Sequence, residues 1–234
     1  MSQGASQKLP RLRSENIEEK PKGWNVPKIV DHDSRRRDLI EATLRIIVRQ
    51  GLSGATMRDI ATEAGFANGA LKPYFTSKSD LLSATYMHVF DATNRRVEQA
   101  TLGLSGLAAL QAFAQEVLPV DDDLRDEARV VLSFWGEVAQ NPLHARTTQE
   151  TLEPWRARII VWLEEARLHG ELDPDVDIPT EADMLLTYMM GAQVNRIAVA
   201  DRFNGAAFTA QFAYYMGRLR RGPRACEHAV PNGP

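Results

Sequence analysis

Between positions 34 and 221 the apolar residues return at spacings of three and four, and no stretch alternates strictly between apolar and polar. That period places side chains on one stripe of a helix and leaves no half-buried strand. The first stripe is Leu39, Ala42, Thr43, Ile46 and Ile47, with Gly51 as its stop. Short helices follow, one capped by Thr56 and ended by Gly65, the next capped by Asn68 and containing Leu71. Ser77 or Ser79 opens a long helix over 78–101. Further helices are expected over 105–118, 122–140, 143–169, 179–202 and 204–221. Their breaks fall at Pro119 with Asp121–Asp123, at Asn141-Pro142, between Gly170 and Pro179, and at Asn204-Gly205. The expected fold is all-α.

A chain of 234 residues with 44% hydrophobic and 25% charged residues can bury a core without disulfides or metals. A lone cysteine, Cys226, has no intrachain partner, and a reducing cytoplasm is the expected compartment. No apolar run reaches the roughly 18 residues of a membrane span, and residues 1–23 lack the apolar region of a secretory signal.

The net charge of −3 is unevenly spread: residues 1–80 carry +4 and residues 81–234 carry −7. A small basic module joined to a larger acidic one fits that distribution, and DNA needs positive charge only where its phosphates lie. Residues 1–30 are polar and non-periodic, and are expected to form a flexible arm that touches DNA or simply an unstructured terminus. A helix-turn-helix domain is expected over 31–80, a helical domain over 81–221, and a disordered tail over 222–234.

The segment 56–78 reads TMRDIATEAGFANGALKPYFTSK. Two short helices about a glycine-containing turn have helix-turn-helix spacing. Ile60, Ala61 and Leu71 can face inward while small and polar residues of the second helix face a major groove.

From Arg37 to Leu82 the chain resembles the N-terminal domain of the TetR family of transcriptional regulators. The resemblance rests on Gly51, Thr56, Arg58-Asp59-Ile60-Ala61, Ala64-Gly65, Gly69, Leu71, Tyr74-Phe75 and Ser77-Lys78 with Leu81-Leu82. Phe134-Trp135, Pro142, Trp155-Arg156 and Gly191 are similar to the BetI-type C-terminal domain of that family. The resemblance implies a three-helix DNA-binding domain followed by a helical domain for ligand binding and dimerisation. It implies that Thr56 faces a phosphate from a helix N-terminus, that Asn68, Gly69, Ala70 and Lys72 lie on the recognition helix, and that Tyr74 and Lys78 contact phosphates. Arg36 and Arg58 are further candidates for the DNA backbone.

Many family members carry Tyr where this chain has Lys72, and an aromatic residue or His where it has Pro73. Proline lacks an N–H and disfavours the α conformation of the residue before it, so a short or distorted recognition helix is expected. Lys72 is then expected to reach a phosphate or a guanine, and Pro73 to touch a thymine methyl.

The family also implies a dimer interface on the last two helices, with Met184, Tyr188, Gly191, Ala192, Phe208, Phe212 and Tyr215 as candidates. An effector pocket is expected among the long helices. Its candidate lining is the aromatic set Phe90, Phe113, Phe134, Trp135, Trp155 and Trp162, with Asn94, Glu137 and Val138. Four or more aromatics with few polar anchors would suit a mostly apolar small molecule. The expected partners are an operator duplex, a second copy of the chain and a small-molecule effector, with no membrane. The alternative is a constitutive or architectural DNA-binding protein without a ligand.

Enzyme signatures are missing from the sequence. GLSG at 51–54 and at 103–106 does not extend to G-x-S-x-G, and there is no P-loop or G-x-G-x-x-G. The histidines at 32, 88, 144, 169 and 228 have no zinc spacing, and Ile178 and Met184 stand where a calcium loop beginning at Asp173 needs Gly and Glu. No catalysis, cofactor or metal is expected.

Overall fold

The computed structural model describes residues 32–52, 55–67, 69–138 and 141–221. The expected arm, the tail with Cys226, and Asn68 lie outside the described residues. Among those described there are eight helices and no strand. They are α1 (His32–Gln50), α2 (Met57–Glu63), α3 (Lys78–Ala100), α4 (Gly106–Val117), α5 (Asp122–Val138), α6 (Pro142–Leu168), α7 (Ile178–Ala198) and α8 (Gly205–Arg221).

Local chemistry sets the boundaries. Thr56 caps α2 by accepting from the Asp59 N–H while the Asp59 carboxylate accepts from the Thr56 N–H at 2.7 Å, a reciprocal capping box. The Ser77 hydroxyl caps α3 by accepting from the Asp80 N–H at 3.0 Å, while the Asp80 carboxylate accepts from Thr76, and Asn141 precedes Pro142 at the start of α6. Helix α7 ends at Ala198, short of the expected 202, because Val199 leaves helical geometry (φ −137, ψ 50).

Two buried clusters hold the fold. One gathers Leu39, Ile46 and Ile47 of α1, Ile60 of α2, Leu71 and Phe75, then Leu81, Leu82, Tyr86 and Val89 of α3 and Val130 and Phe134 of α5. Each fully buried aliphatic side chain contributes about 1.5–3 kcal/mol relative to exposure. This cluster runs through position 80 without a gap, so α3 belongs to both the helix-turn-helix layer and the bundle. The other cluster joins α4, α6, α7 and α8 through Leu110, Phe113, Leu163, Leu185, Met189 and Phe208.

Candidate nucleic-acid interface and internal cavity

The third helix expected in the helix-turn-helix is not an α-helix here. Residues 69–74 form successive turns, with Ala70 N–H donating to the Ala67 carbonyl at 3.1 Å and Tyr74 N–H to that of Leu71 at 2.8 Å. Pro73 has no N–H to give, which breaks the i to i−4 ladder at its centre. Gly65 (φ +73) and Gly69 (φ +87) supply left-handed backbone on either side of residues 66–67. Leu71 and Phe75 are buried beneath the turn, and Lys72 and Pro73 are exposed on it.

The flanking candidates divide by exposure. Arg58 and Thr56 are exposed, and the Thr56 hydroxyl also donates to Asp59 at 2.7 Å. Those bonds hold the Asp59 carboxyl below the usual carboxylate range, the Thr56 backbone N–H being the larger cause. Ala70 is half-buried. Tyr74 is half-buried between His32, at 4.6 Å between ring centroids, and the edge of Phe66 at 6.0 Å. The Arg36 guanidinium lies 4.7 Å over the Phe75 ring and that of Arg35 lies 5.1 Å over Phe66. Lys78 donates to the Leu52 carbonyl at 2.6 Å, fixing the loop before α2 to the start of α3. Arg45 and Arg49 of α1 both bond Glu63 of α2, which keeps that carboxyl below its usual range.

The bundle contains a cleft with about 620 Å³ of empty space, counted out to its open mouth. Phe90, Trp135 and Trp155 line it, as expected from sequence, and Tyr86 joins them. The other expected lining residues lie elsewhere. Phe113 and Phe134 are fully buried and Trp162 nearly so: Phe134 stacks on Tyr86 at 4.1 Å, and Phe113 backs Trp155 edge-on at 5.3 Å. Asn94 accepts the Trp155 indole N–H at 2.7 Å and so orients that ring. Glu137 accepts from Ser79 at 2.9 Å at the far end of α5, and Val138 packs against the first cluster.

Sequence reasoning missed the polar wall of the cleft. Glu116 of α4, Glu127 of α5, Thr93 of α3 and Gln193 of α7 line it. Arg96 of α3 bonds both carboxylates, Glu127 through two bonds of 2.9 Å and Glu116 through one of 3.1 Å. One guanidinium between two carboxylates leaves the group with a net charge of −1 if both are ionised. Glutamates beside apolar stripe residues read as solvated charges until Arg96 is seen between them.

On the last two helices, Ala192, Phe208 and Phe212 are buried in the chain's own core, in the cluster that also holds side chains of α4 and α6. Tyr188, Gly191 and Tyr215 are half-buried, and Met184 is 54% exposed. The outward faces also carry Val194 and Tyr214, the latter 71% exposed. Burial pushes the Tyr188 hydroxyl up to about 12.

Comparison with known proteins bears on these surfaces. The family model for bacterial regulatory proteins of the tetR family matches residues 39–85, and that for the BetI-type transcriptional repressor C-terminal domain matches residues 106–221. The chain belongs to the TetR family. It is 27% identical over 180 residues to the HTH-type transcriptional regulator PksA of Bacillus subtilis, covering 76% of this chain and 86% of that one. It is 32% identical over 122 residues to BetI of Paraburkholderia phymatum, covering 50% of this chain and 61% of BetI. Among solved structures, a transcriptional regulator from Saccharomonospora viridis in complex with choline superposes with a TM-score of 0.73 at 22% identity, over 79% of this chain and 96% of that one. A regulator from Rhodococcus sp. Rha1 gives 0.70 at 24% identity, over 80% and 96%. This TetR-family regulator therefore carries a DNA-binding module over α1 to the start of α3, and no helix among its described residues is long and apolar enough to cross a membrane.

Proposed function

We propose that this TetR-family regulator is a homodimeric repressor that binds a palindromic operator and is controlled by a small molecule held in the cleft. One observation supports this reading above others: α3 carries the DNA-facing turn at its N-terminal end and Arg96, bonded to the two cleft glutamates, near its C-terminal end. A ligand that draws Glu116 or Glu127 away from Arg96 changes what holds α3. The two DNA modules of a dimer must sit about 34 Å apart to meet successive major grooves, so a small shift of α3 changes DNA affinity. The coupling is reciprocal, and DNA weakens ligand binding by the same factor.

Four aromatic side chains beside a carboxylate pair of residual negative charge suit an organic cation. Choline, bound in the Saccharomonospora neighbour, is the first compound to test. The dimer is proposed to pair the outward faces of α7 and α8 around Met184, Gly191, Val194 and Tyr214.

The test is selection of bound genomic fragments by the purified protein at two salt concentrations, repeated with choline and a metabolite panel. An enriched inverted repeat that is released by a compound quenching tryptophan fluorescence is expected. Sequence-independent retention that no compound alters would replace this reading with architectural binding.

A further inference from the structure

The turn that carries Lys72 and Pro73 has few backbone bonds of its own. Among the described residues, Ala70 N–H donates to the Ala67 carbonyl at 3.1 Å, and Tyr74 N–H and Phe75 N–H both donate to the Leu71 carbonyl, at 2.8 and 2.9 Å. Pro73 has no N–H to add. A recognition helix would hold its reading side chains by a continuous i to i−4 ladder, and that ladder is missing here.

The first turn of α1 lies against this turn instead. His32 meets the Tyr74 ring at 4.6 Å between centroids, with the planes 34° apart. The Arg35 guanidinium lies 5.1 Å over Phe66, which in turn meets Tyr74 edge-on. The Arg36 guanidinium lies 4.7 Å over Phe75, a ring that is only 1% exposed. Helical spacing explains the arrangement. Positions 32, 35 and 36 share one face of α1, and the same face continues into the buried Leu39 and Thr43. Arg37 stands off that face and is exposed, whereas Arg35 and Arg36 are half-buried. The run Arg35-Arg36-Arg37 is therefore not one basic patch: two of its cations are laid on rings.

We infer that Arg35 and Arg36 are positioning residues for DNA recognition, which splint the turn through Phe66 and Phe75 and so hold Lys72 and Pro73 in the conformation that reads a base pair. The inference rests on the DNA-binding module and not on an effector, on repression or on operator symmetry. A loosened turn reads sequence only in the fraction of molecules that hold the competent conformation, and affinity for a preferred site falls by that fraction. Attraction to phosphates needs no such conformation. Loss of the splint thus narrows sequence preference and leaves the salt dependence alone. A guanidinium seated on a phosphate behaves in the opposite way: its loss weakens every duplex alike and lowers the salt slope by about 1.

The test retains a randomised duplex pool on the full-length protein at two salt concentrations and sequences what is bound. Arg35→Gln and Arg36→Gln are each expected to reduce enrichment of the preferred sequences by about two- to fivefold, the worth of one cation–π contact at a partly exposed site, with an unchanged salt slope. Arg37→Gln removes the same charge without touching a ring and is expected to keep the enrichment. Proton NMR of the DNA-free protein is expected to show the Arg35 side chain shifted upfield by the Phe66 ring. Phe66→Leu, which keeps an apolar side chain, is expected to abolish that shift, and its effect on enrichment should not add to that of Arg35→Gln. A salt slope that falls by about 1 with enrichment intact in Arg35→Gln and Arg36→Gln, an equal narrowing in Arg37→Gln, or additive effects of Arg35→Gln and Phe66→Leu would each overturn the splint. A wild-type pool retained without sequence preference would overturn it too, while leaving DNA binding itself standing.

Discussion

Arg96 meets Glu127 through two parallel bonds, Nη1 to Oε1 and Nη2 to Oε2, each 2.9 Å, while its Nε reaches Glu116 Oε2 at 3.1 Å. One planar side chain therefore joins α3 to α4 and α5 at the wall of the cleft, a geometry that Lys cannot reproduce. Replacing Arg96 by Met keeps the stem and leaves two carboxylates facing each other. The expected loss is about 1–2 kcal/mol, the side chain being partly open to water. Urea unfolding measures it, and Arg96→Lys is expected to recover only a minor part.

Acid should loosen α2 through Asp59. Its carboxyl sits below the usual range because the Thr56 backbone N–H, and then the Thr56 hydroxyl, bond the ionised form. A depressed carboxyl contributes stability that is full above the unfolded value of about 3.9 and disappears as pH falls through its lower folded value. Wild type is thus expected to melt above Asp59→Asn at neutral pH, with the gap closing below about pH 4. An unchanged gap on acidification would show that Asp59 does not titrate in the capping box.

The helices were legible because their determinants are local. Thr56 with Asp59, Ser77 with Asp80, and Asn141 before Pro142 mark starts that need no knowledge of the rest of the chain. The distortion at Pro73 was legible for the same reason, since a missing N–H acts within one turn. The cleft was legible only in part. Phe90, Phe113, Phe134, Trp155 and Trp162 share one helical period, and which of them meets empty space depends on how α3, α5 and α6 cross. Phe134 is turned into the core by Tyr86 and His144, and Phe113 stands behind Trp155. The same limit applied to Phe208 and Phe212, apolar as an interface requires but claimed by the protomer's own core.

Two glycines should respond oppositely to alanine. At Gly205 a Cβ would stand 1.7 Å from the Val120 carbonyl oxygen, so the start of α8 must move away from the segment before α5. Gly205→Ala is expected to cost about 3 kcal/mol or more. At Gly191 a Cβ meets open space within the protomer, and alanine favours the helix by about 1 kcal/mol. Gly191→Ala is expected to leave the protomer folded but to weaken the dimer if α7 pairs across it. Sedimentation at several concentrations separates the two effects; a dimer unaffected by Gly191→Ala, or by a larger residue there, would move the interface elsewhere.

Lys72 and Pro73 are the exposed side chains on the turn that stands where a recognition helix is expected, with Gly69 before them and Tyr74 packed behind. A lysine on phosphate adds one counterion's worth of salt dependence and little sequence preference, whereas one on guanine changes which base is preferred. Lys72→Ala is therefore expected to weaken the selected duplex and every point variant of it alike, with the salt slope falling by about 1, if the contact is to phosphate. If the contact is to a base, the loss is expected to concentrate at one position, at about 1–3 kcal/mol. Pro73→Ala restores a backbone N–H and is expected to raise helicity near the turn while altering preference at any thymine beside it. Titration of fluorescent duplexes at two salt concentrations reads both variants. Unchanged affinity and unchanged salt slope in Lys72→Ala would remove Lys72 from the DNA interface.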